Sequence, residues 1–209
     1  MNVMLFAAAM SVLSADPPEE TCTLRGKLTV LENGKPSKGG FSEVYVDEGV
    51  KTQPLRTERK MSQLRRAFVP RVMVVEKEDT VVFVNEDTEV HEVHCDKDVN
   101  TFDTVRNVRP VTTKKQFTEV GVARMGCHVH DSMSALILTV PNRFHAHVAD
   151  DGTWSISGLP RKALTLRVWN PRGTSEPIKV PACETKPIDT SLELSLPQTE
   201  RGYGLLSRD

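Results

Sequence analysis

Short apolar runs separated by turn residues follow one another along most of the chain. Leu24, Leu28 and Val30 alternate with polar residues, and Asn33-Gly34 then marks a tight turn. Later runs are short and continuously apolar, which is typical of strands inside a two-sheet sandwich. We predict these strands at residues 43–46, 72–75, 81–84, 90–93, 114–118, 122–127 and 135–140. No long amphipathic helical pattern interrupts them, so the sequence predicts an all-β fold.

Two other stretches complete the pattern. Residues 51–66 are polar, rich in Arg and Lys, and lack alternation, so we predict a long surface loop with at most a helical turn. Its basic residues could instead meet an acidic partner. Beyond residue 144, Asp151-Gly152 predicts a hairpin and residues 157–160 (Ser-Gly-Leu-Pro) predict a turn. Further strands are expected at residues 164–168, 178–180 and 191–196.

The first residues indicate a location. Residues 1–15 are apolar and uncharged in their side chains, and a polar stretch follows from Asp16 to Glu20. Such a run is too short to cross a bilayer as a helix, and Ala15 is a suitable small residue before a cleavage point. We therefore predict a signal peptide and a periplasmic or otherwise exported protein. A buried N-terminal helix or strand is the alternative.

Composition limits the remaining classes. A chain of 209 residues holds one large or two small domains, and its 38% hydrophobic residues can form a real core. A net charge of −1 and an aromatic content of 5% do not favour nucleic-acid binding. The four cysteines include no Cys-x-x-Cys pair, so a structural zinc knuckle is not expected.

The histidines and one cysteine indicate a metal site. All six histidines lie between residues 91 and 147, and Cys127, His130 and Met133 are spaced as Cys-x-x-His-x-x-Met. With His91 upstream, they offer a thiolate, two imidazoles and a thioether, a set that suits copper in both oxidation states. Singly, each residue is explained by a buried thiol, a surface imidazole or a core filler. Their joint spacing predicts one copper ion.

The stretch from Ala67 to Pro141 resembles the cupredoxins, and within them the plastocyanin- and amicyanin-like proteins often filed as methylamine-utilisation-type. The resemblance rests on residues 68–70 (Phe-Val-Pro), 81–85 (Val-Val-Phe-Val-Asn), 91–93 (His-Glu-Val) and the 127–133 loop. It implies a Greek-key β-sandwich with a type 1 copper site.

Carried over by position, the resemblance makes His91 and His130 the imidazole ligands, Cys127 the thiolate and Met133 the axial thioether. His130 would be the ligand nearest the surface. The sequence departs from the family at Glu92, where an asparagine usually ties the ligand loops together, and at residue 128, where a histidine replaces a small polar residue.

The nearby residues leave alternatives open. His91 and His94 are three apart, so on a strand they point to opposite faces, and only one of them faces the metal. Cys95 shares the face of His91 and has a structural role, or else is a free thiol or an extra ligand. His145 and His147 share a strand face and could bind metal, although surface exposure is the simpler reading.

Residues 26–30, 34–36 and 44–46 precede the cupredoxin-like stretch, and residues 150–154, 159–160 and 164–168 follow it. These flanking blocks resemble the first and second halves of a carboxypeptidase-regulatory-like sandwich. We expect the cupredoxin to be packed with, or inserted into, a small prealbumin-like β-sandwich. The expected division is a signal peptide at 1–15, a first half-sandwich with the basic loop at 21–60, the cupredoxin at 61–141, a second half-sandwich at 142–200 and a tail at 201–209. Cys22 and Cys183 would then lie in one domain, and we predict a disulfide between them.

The expected function is that of an exported type 1 (blue) copper protein, a monomer that carries single electrons between redox partners such as a c-type cytochrome or a periplasmic dehydrogenase. No nucleic acid and no membrane span in the mature chain are expected. Copper delivery or storage is the alternative, with extra or transient ligands offered by the surplus residues His94, His128, Cys95, His145 and His147. A recognition module in which copper is incidental is a third. No enzyme is expected, because a saturated copper site leaves no open position and no Gly-x-Ser-x-Gly motif occurs.

Overall fold

The structure is a computed structural model and describes residues 20–95, 99–104, 112–181 and 186–195. These residues form strands and contain no helix, which confirms the all-β prediction. In particular, the described ranges include no helix long and apolar enough to cross a membrane. The predicted signal peptide, the C-terminal tail and Cys183 lie outside the described residues.

The strands follow one another in chain order, joined by turns and loops. They are β1 (Thr21–Glu32), β2 (Lys35–Pro36), β3 (Glu43–Glu48), β4 (Glu58–Leu64), β5 (Ala67–Val69), β6 (Val72–Glu76), β7 (Thr80–Asn85), β8 (Val93–Cys95), β9 (Phe102–Asp103), β10 (Thr112–Gln116), β11 (Gly121–Cys127), β12 (Ser134–Val140), β13 (His145–His147), β14 (Thr153–Pro160), β15 (Leu164–Asn170), β16 (Gly173–Thr174), β17 (Ile178–Val180) and β18 (Thr190–Glu193). The predicted hairpin at Asn33-Gly34 is present, with both residues at positive φ, 54° and 72°.

One pair of sheets, which we call the flanking sandwich, uses strands from both ends of the described chain. Its first sheet has the order β14-β1-β18, with β2 on β1, and its second has the order β13-β3-β15-β16, with β17 on β15. Apolar side chains of the two sheets meet between them, among them Leu24, Trp154, Val44 and Leu166. Such interdigitation of inward-facing residues is what holds a β-sandwich together.

The second pair of sheets, the central sandwich, lies between those two segments in the sequence. Its sheets have the orders β10-β7-β4-β5 and β6-β12-β11-β8-β9. Strands β4 and β7 are parallel, as are β6 and β12, and the other pairs are antiparallel. Phe68, Phe83, Phe117, Met125 and Ile137 are fully buried between the sheets. The chain therefore leaves the flanking sandwich after β3 and returns to it at β13.

The two sandwiches pack face to face through a third apolar cluster. Tyr45 of β3 and Trp169 of β15 contact Leu136, Leu138 and Val140 of β12. All seven residues of β12 are buried, because one of its faces lines the central core and the other meets the flanking sandwich. This arrangement explains why the β12 sequence is continuously apolar instead of alternating.

The predicted surface loop at 51–66 is wrong in its second half. Residues Glu58–Leu64 form β4, which pairs with β7 on one side and β5 on the other, and Met61 is fully buried. The strand escaped prediction because Glu58 and Lys60 face solvent, where they pair with Lys114 and Glu86. Its backbone hydrogen bonds therefore compensate for a sequence with little apolar alternation.

Two further predictions are corrected. The turn expected at 157–160 is instead part of β14, and Gly158, at φ 74°, lies where the register with β1 shifts. A glycine at positive φ inside a strand is typical of a bulge. The glycine therefore marks an irregularity within β14 and does not end the strand. The strand expected at 90–93 begins at Val93, and His91 forms only an isolated bridge before it.

Candidate metal centre

Three predicted site residues meet at one end of the central sandwich. The Nδ1 atom of His91 lies 3.8 Å from Sγ of Cys127 and 3.2 Å from Nδ1 of His130. One potential ligand atom from each of the three side chains lies within 4.8 Å of the other two. The upstream segment and the Cys-x-x-His-x-x-Met segment, 36 residues apart at His91 and Cys127, therefore converge.

Strand pairing brings the two segments together. Cys127 is the last residue of β11 and pairs with Val93 of β8, just beyond His91. The backbone N–H of His128 donates to the carbonyl of Glu92 at 3.0 Å. The two ligand loops are thus tied by main-chain groups, although Glu92 stands where asparagine was expected to make that connection.

The loop after Cys127 buries some ligand candidates and exposes another. The Met133 N–H donates to the His130 carbonyl at 3.0 Å, which closes a turn, and the Met133 side chain is buried in the same apolar cluster as Cys127. The His91 side chain is 0% exposed and that of His130 is 16% exposed. His130 is therefore the imidazole nearer the solvent.

Two carboxylates that sequence reasoning missed hold the outer nitrogens of these imidazoles. Asp87 Oδ2 lies 2.8 Å from Nε2 of His91, and Glu89 Oε2 lies 2.9 Å from Nε2 of His130. A carboxylate on one ring nitrogen fixes the tautomer and leaves the other nitrogen as the ligand atom. The available signal was the group of acidic residues just before His91. The sequence does not show which way their side chains point, because that depends on how the loop folds.

The β4–β5 hairpin in turn fixes Asp87. Its turn residues Arg65 and Arg66 both have positive φ, 53° and 57°, and both backbone N–H groups donate to the Asp87 carboxylate. Burial alone would raise the pKa of Asp87, but the hydrogen bonds from the Arg66 backbone, from His91 and from the Arg65 backbone outweigh it and lower that pKa. Asp87 is therefore held as an anion.

Glu89 is fixed by a side chain of the same hairpin. The guanidinium of Arg66 donates to both Glu89 oxygens, at 2.8 and 2.6 Å. This bidentate pair, with a smaller share from His130, lowers the pKa of Glu89 and outweighs the opposing effect of burial. The two carboxylates behind the imidazoles are thus both held by the turn of the β4–β5 hairpin.

A second pair of histidines adjoins the centre on its other side. The rings of His94 and His128 stack with centroids 3.9 Å apart, and His128 Nε2 lies 3.1 Å from Asp103 Oδ1. His94 therefore contacts His128 and is not one of the three residues whose ligand atoms come together. Cys95 is buried in the core cluster, with Sγ 3.7 Å from the Val99 carbonyl, which agrees with a structural role.

The fold and this geometry define an all-β protein of paired sandwiches with a buried cluster of two imidazoles and one thiol at a loop end. No protein-family model matches the chain, and a search of curated proteins finds no match.

Among solved structures, mutants of amicyanin are similar to part of this chain. An oxidised proline-to-alanine mutant is 19% identical over 38% of this chain and 79% of its own, with a TM-score of 0.36. A reduced tryptophan-to-tyrosine mutant is 19% identical over 39% and 80%, with a TM-score of 0.37. A Cu(I) methionine-to-glutamine mutant is 17% identical over 42% and 96%, with a TM-score of 0.38.

Proposed function

We propose that this chain is an exported type 1 copper protein that carries single electrons between redox partners and has no enzymatic activity of its own. The observation that supports it is the approach of His91 Nδ1, His130 Nδ1 and Cys127 Sγ to within 4.8 Å of one another. Export, a periplasmic location and a redox partner such as a c-type cytochrome or a dehydrogenase belong to the same proposal.

The side chains present fit copper. Two imidazole nitrogens and a thiolate, with the thioether of Met133 buried on the same loop, match the donor set that suits both copper oxidation states. When bound, copper supplies a one-electron couple. His91, His130 and Cys127 would hold the ion, and Met133 would supply a further, weaker thioether ligand.

The residues of this chain contribute rigidity around that couple. Asp87 and Glu89 hold the two imidazoles from behind, and the β4–β5 hairpin holds both carboxylates. Ligands fixed from outside move little when the charge at the centre changes, and a small rearrangement favours fast electron transfer. The buried apolar cluster around Cys127 excludes water from the thiol side.

The His130 edge is the proposed route for the electron. Its side chain is the more exposed of the two imidazoles, and it is followed by the exposed Asp131 and Ser132. Val129, just before it, is an exposed apolar residue. A partner that docks here would therefore meet a mixed surface, which includes the apolar Val129 and the charges of Asp131, Glu89 and Arg66.

The test is spectroscopic. Copper-loaded wild-type protein is expected to show intense absorption toward the red end of the visible range, the narrow hyperfine splitting of a Cu–thiolate centre and reversible reduction. Cys127→Ser and His91→Ala should each abolish that absorption. Cys95→Ser is the matched control, because Cys95 is buried in the same cluster and its loss should leave the colour intact. A colourless copper-loaded wild type contradicts the proposal.

Copper delivery or storage is the second candidate, and the His94–His128 pair favours it. Exposed His128 follows Cys127 directly and stacks on His94, so it could receive an ion before the buried centre does. More than one copper per chain, with rapid loss to a chelator and no reversible reduction, would favour this function over electron transfer.

A further inference from the structure

The flanking sandwich contains a second group of potential ligands, which shares no residue with the central cluster. His145 and His147 lie two residues apart on β13 and so project from the same face of their sheet. His147 pairs directly with Glu43 of β3. Residues directly opposite each other on neighbouring strands project to the same side, so all three side chains occupy one face.

The contacts within this group are close. His145 Nδ1 lies 2.6 Å from Glu43 Oε1, and His147 Nδ1 lies 3.7 Å from Glu43 Oε2. The Glu43 side chain is only 3% exposed, whereas those of His145 and His147 are 23% and 41% exposed. The ring of Phe41 packs on His147 with centroids 4.5 Å apart. A buried carboxylate thus lies behind two imidazoles that reach the solvent.

This arrangement prepares the rings for a metal. An imidazole that donates its Nδ1 proton to a carboxylate keeps its lone pair on Nε2, at the far side of the ring, and metal-binding histidines commonly have such a carboxylate behind them. Glu43 lies at hydrogen-bonding distance from His145, whereas at 3.7 Å it is only within ion-pair range of His147. Residues two apart on a strand are separated by roughly 6.6 Å, so two imidazoles can reach one ion at about 2 Å each. A buried carboxylate is also costly without positive charge nearby, which a divalent cation would supply.

We propose that His145 and His147 bind one divalent transition-metal ion through their Nε2 atoms, with Glu43 as the positioning residue. Imidazole ligands suit Zn²⁺, Cu²⁺ and Ni²⁺, and two protein ligands leave positions for water or a further ligand. The site does not depend on the copper function proposed for the central cluster.

Isothermal titration of the full chain with Zn²⁺ tests the proposal by the number of ions bound. His147→Ala and His145→Ala should each remove one Zn²⁺ per chain. The double variant should lose the same single ion, because both ligands serve one site. His128→Ala, a matched change in the other exposed histidine cluster, should retain it. Glu43→Gln should weaken this site at least about tenfold.

His147 is well exposed, so its loss is compatible with folding, and circular dichroism of the metal-free variants verifies this. Unchanged stoichiometry and affinity in His147→Ala would overturn the proposal. Loss of two ions in the double variant would overturn it as well, because each histidine would then belong to a different site. Glu43→Gln with wild-type affinity would remove the positioning role.

Discussion

Asp87 holds the imidazole of His91 from behind: Oδ2 of Asp87 lies 2.8 Å from Nε2, while Nδ1 of the same ring lies 3.8 Å from Sγ of Cys127. The ring therefore lies between an anchoring anion and the thiol. Because the Asp87 carboxylate also accepts the backbone N–H groups of Arg65 and Arg66, the direction of the His91 ligand atom is set by a hairpin from the opposite sheet.

Asp87→Asn is expected to weaken copper binding by about 10- to 100-fold, because the amide no longer enforces one imidazole tautomer. Competition with a chelator of known affinity measures the change. Asp103→Asn is the matched control, since Asp103 contacts His128 outside the cluster. Equal affinities in the two variants would show that the Asp87 contact does not support the site.

Two substitutions distinguish the contribution of Met133 to core packing from its proposed contribution as a metal ligand. Met133→Ala should lower the free energy of unfolding by about 2–5 kcal/mol, because it leaves a cavity in the core, whereas Met133→Leu should cost less than about 1.5 kcal/mol. If Met133 is a copper ligand, Met133→Leu should still shift the reduction potential of the copper-loaded protein. The control is Met125→Leu in the same cluster. Identical potentials in the two leucine variants would leave Met133 with packing alone.

The sequence pointed to the local part of the candidate site: Cys127 and His130 do lie close together, and the ligand role of Met133 stays a prediction. Cys127, His130 and Met133 are spaced within one short loop, so they could be recognised as potential metal ligands without knowledge of the fold. Asp87 and Glu89 were missed because their role depends on where a loop turns, and acidic residues in loops are ordinarily solvated. The same limit applies to Glu43, which is far in sequence from the histidines that it contacts.

The fold was predictable wherever burial alternates or is continuous. Strand β4 was missed because half of it faces solvent and its stability comes from backbone pairing on both sides. Gly158 was misread because a glycine at positive φ serves a bulge as well as it serves a turn. In both segments the conformation depends on pairing with strands that are distant in sequence, and the local pattern of residues does not contain that information.

Tyr45 should make the protein sensitive to alkali. Burial raises the pKa of Tyr45 to about 12, with a further contribution from Asp47 and opposition from Arg167. An unfolded tyrosine ionises near pH 10, so the folded state binds this proton more tightly. The contribution of the protonated Tyr45 to the free energy of unfolding is fully present below about pH 10 and is lost as the pH rises toward 12. At pH 11 this loss is about 1.4 kcal/mol.

Denaturant unfolding at pH 8 and pH 11 measures this loss. Tyr45→Phe should lose about 1.4 kcal/mol less than wild type between the two conditions, because it has no phenol to ionise. An equal loss in both proteins would assign the alkaline sensitivity to other groups.

The disulfide prediction has partial support and a direct test. Cys22 is disulfide-bonded, and the expected partner, Cys183, lies outside the described residues. Peptide mapping without reduction should recover the two cysteines in one cross-linked fragment. In the chain-entropy description, a loop of this length stabilises by roughly 4–5 kcal/mol, so Cys22→Ser should lower the unfolding free energy by about that amount. Separate, unlinked Cys22 and Cys183 peptides would refute the pairing.

The chain order of the two sandwiches has a consequence for biosynthesis. Strand β1 pairs with β14 and β18, which begin at Thr153 and Thr190, whereas the last strand of the central sandwich ends at Val140. A nascent chain can therefore assemble the central sandwich while β1 still lacks β14 and β18 and is paired only with the short strand β2. Until translation passes Glu193, that long strand is the segment most open to mispairing with another molecule.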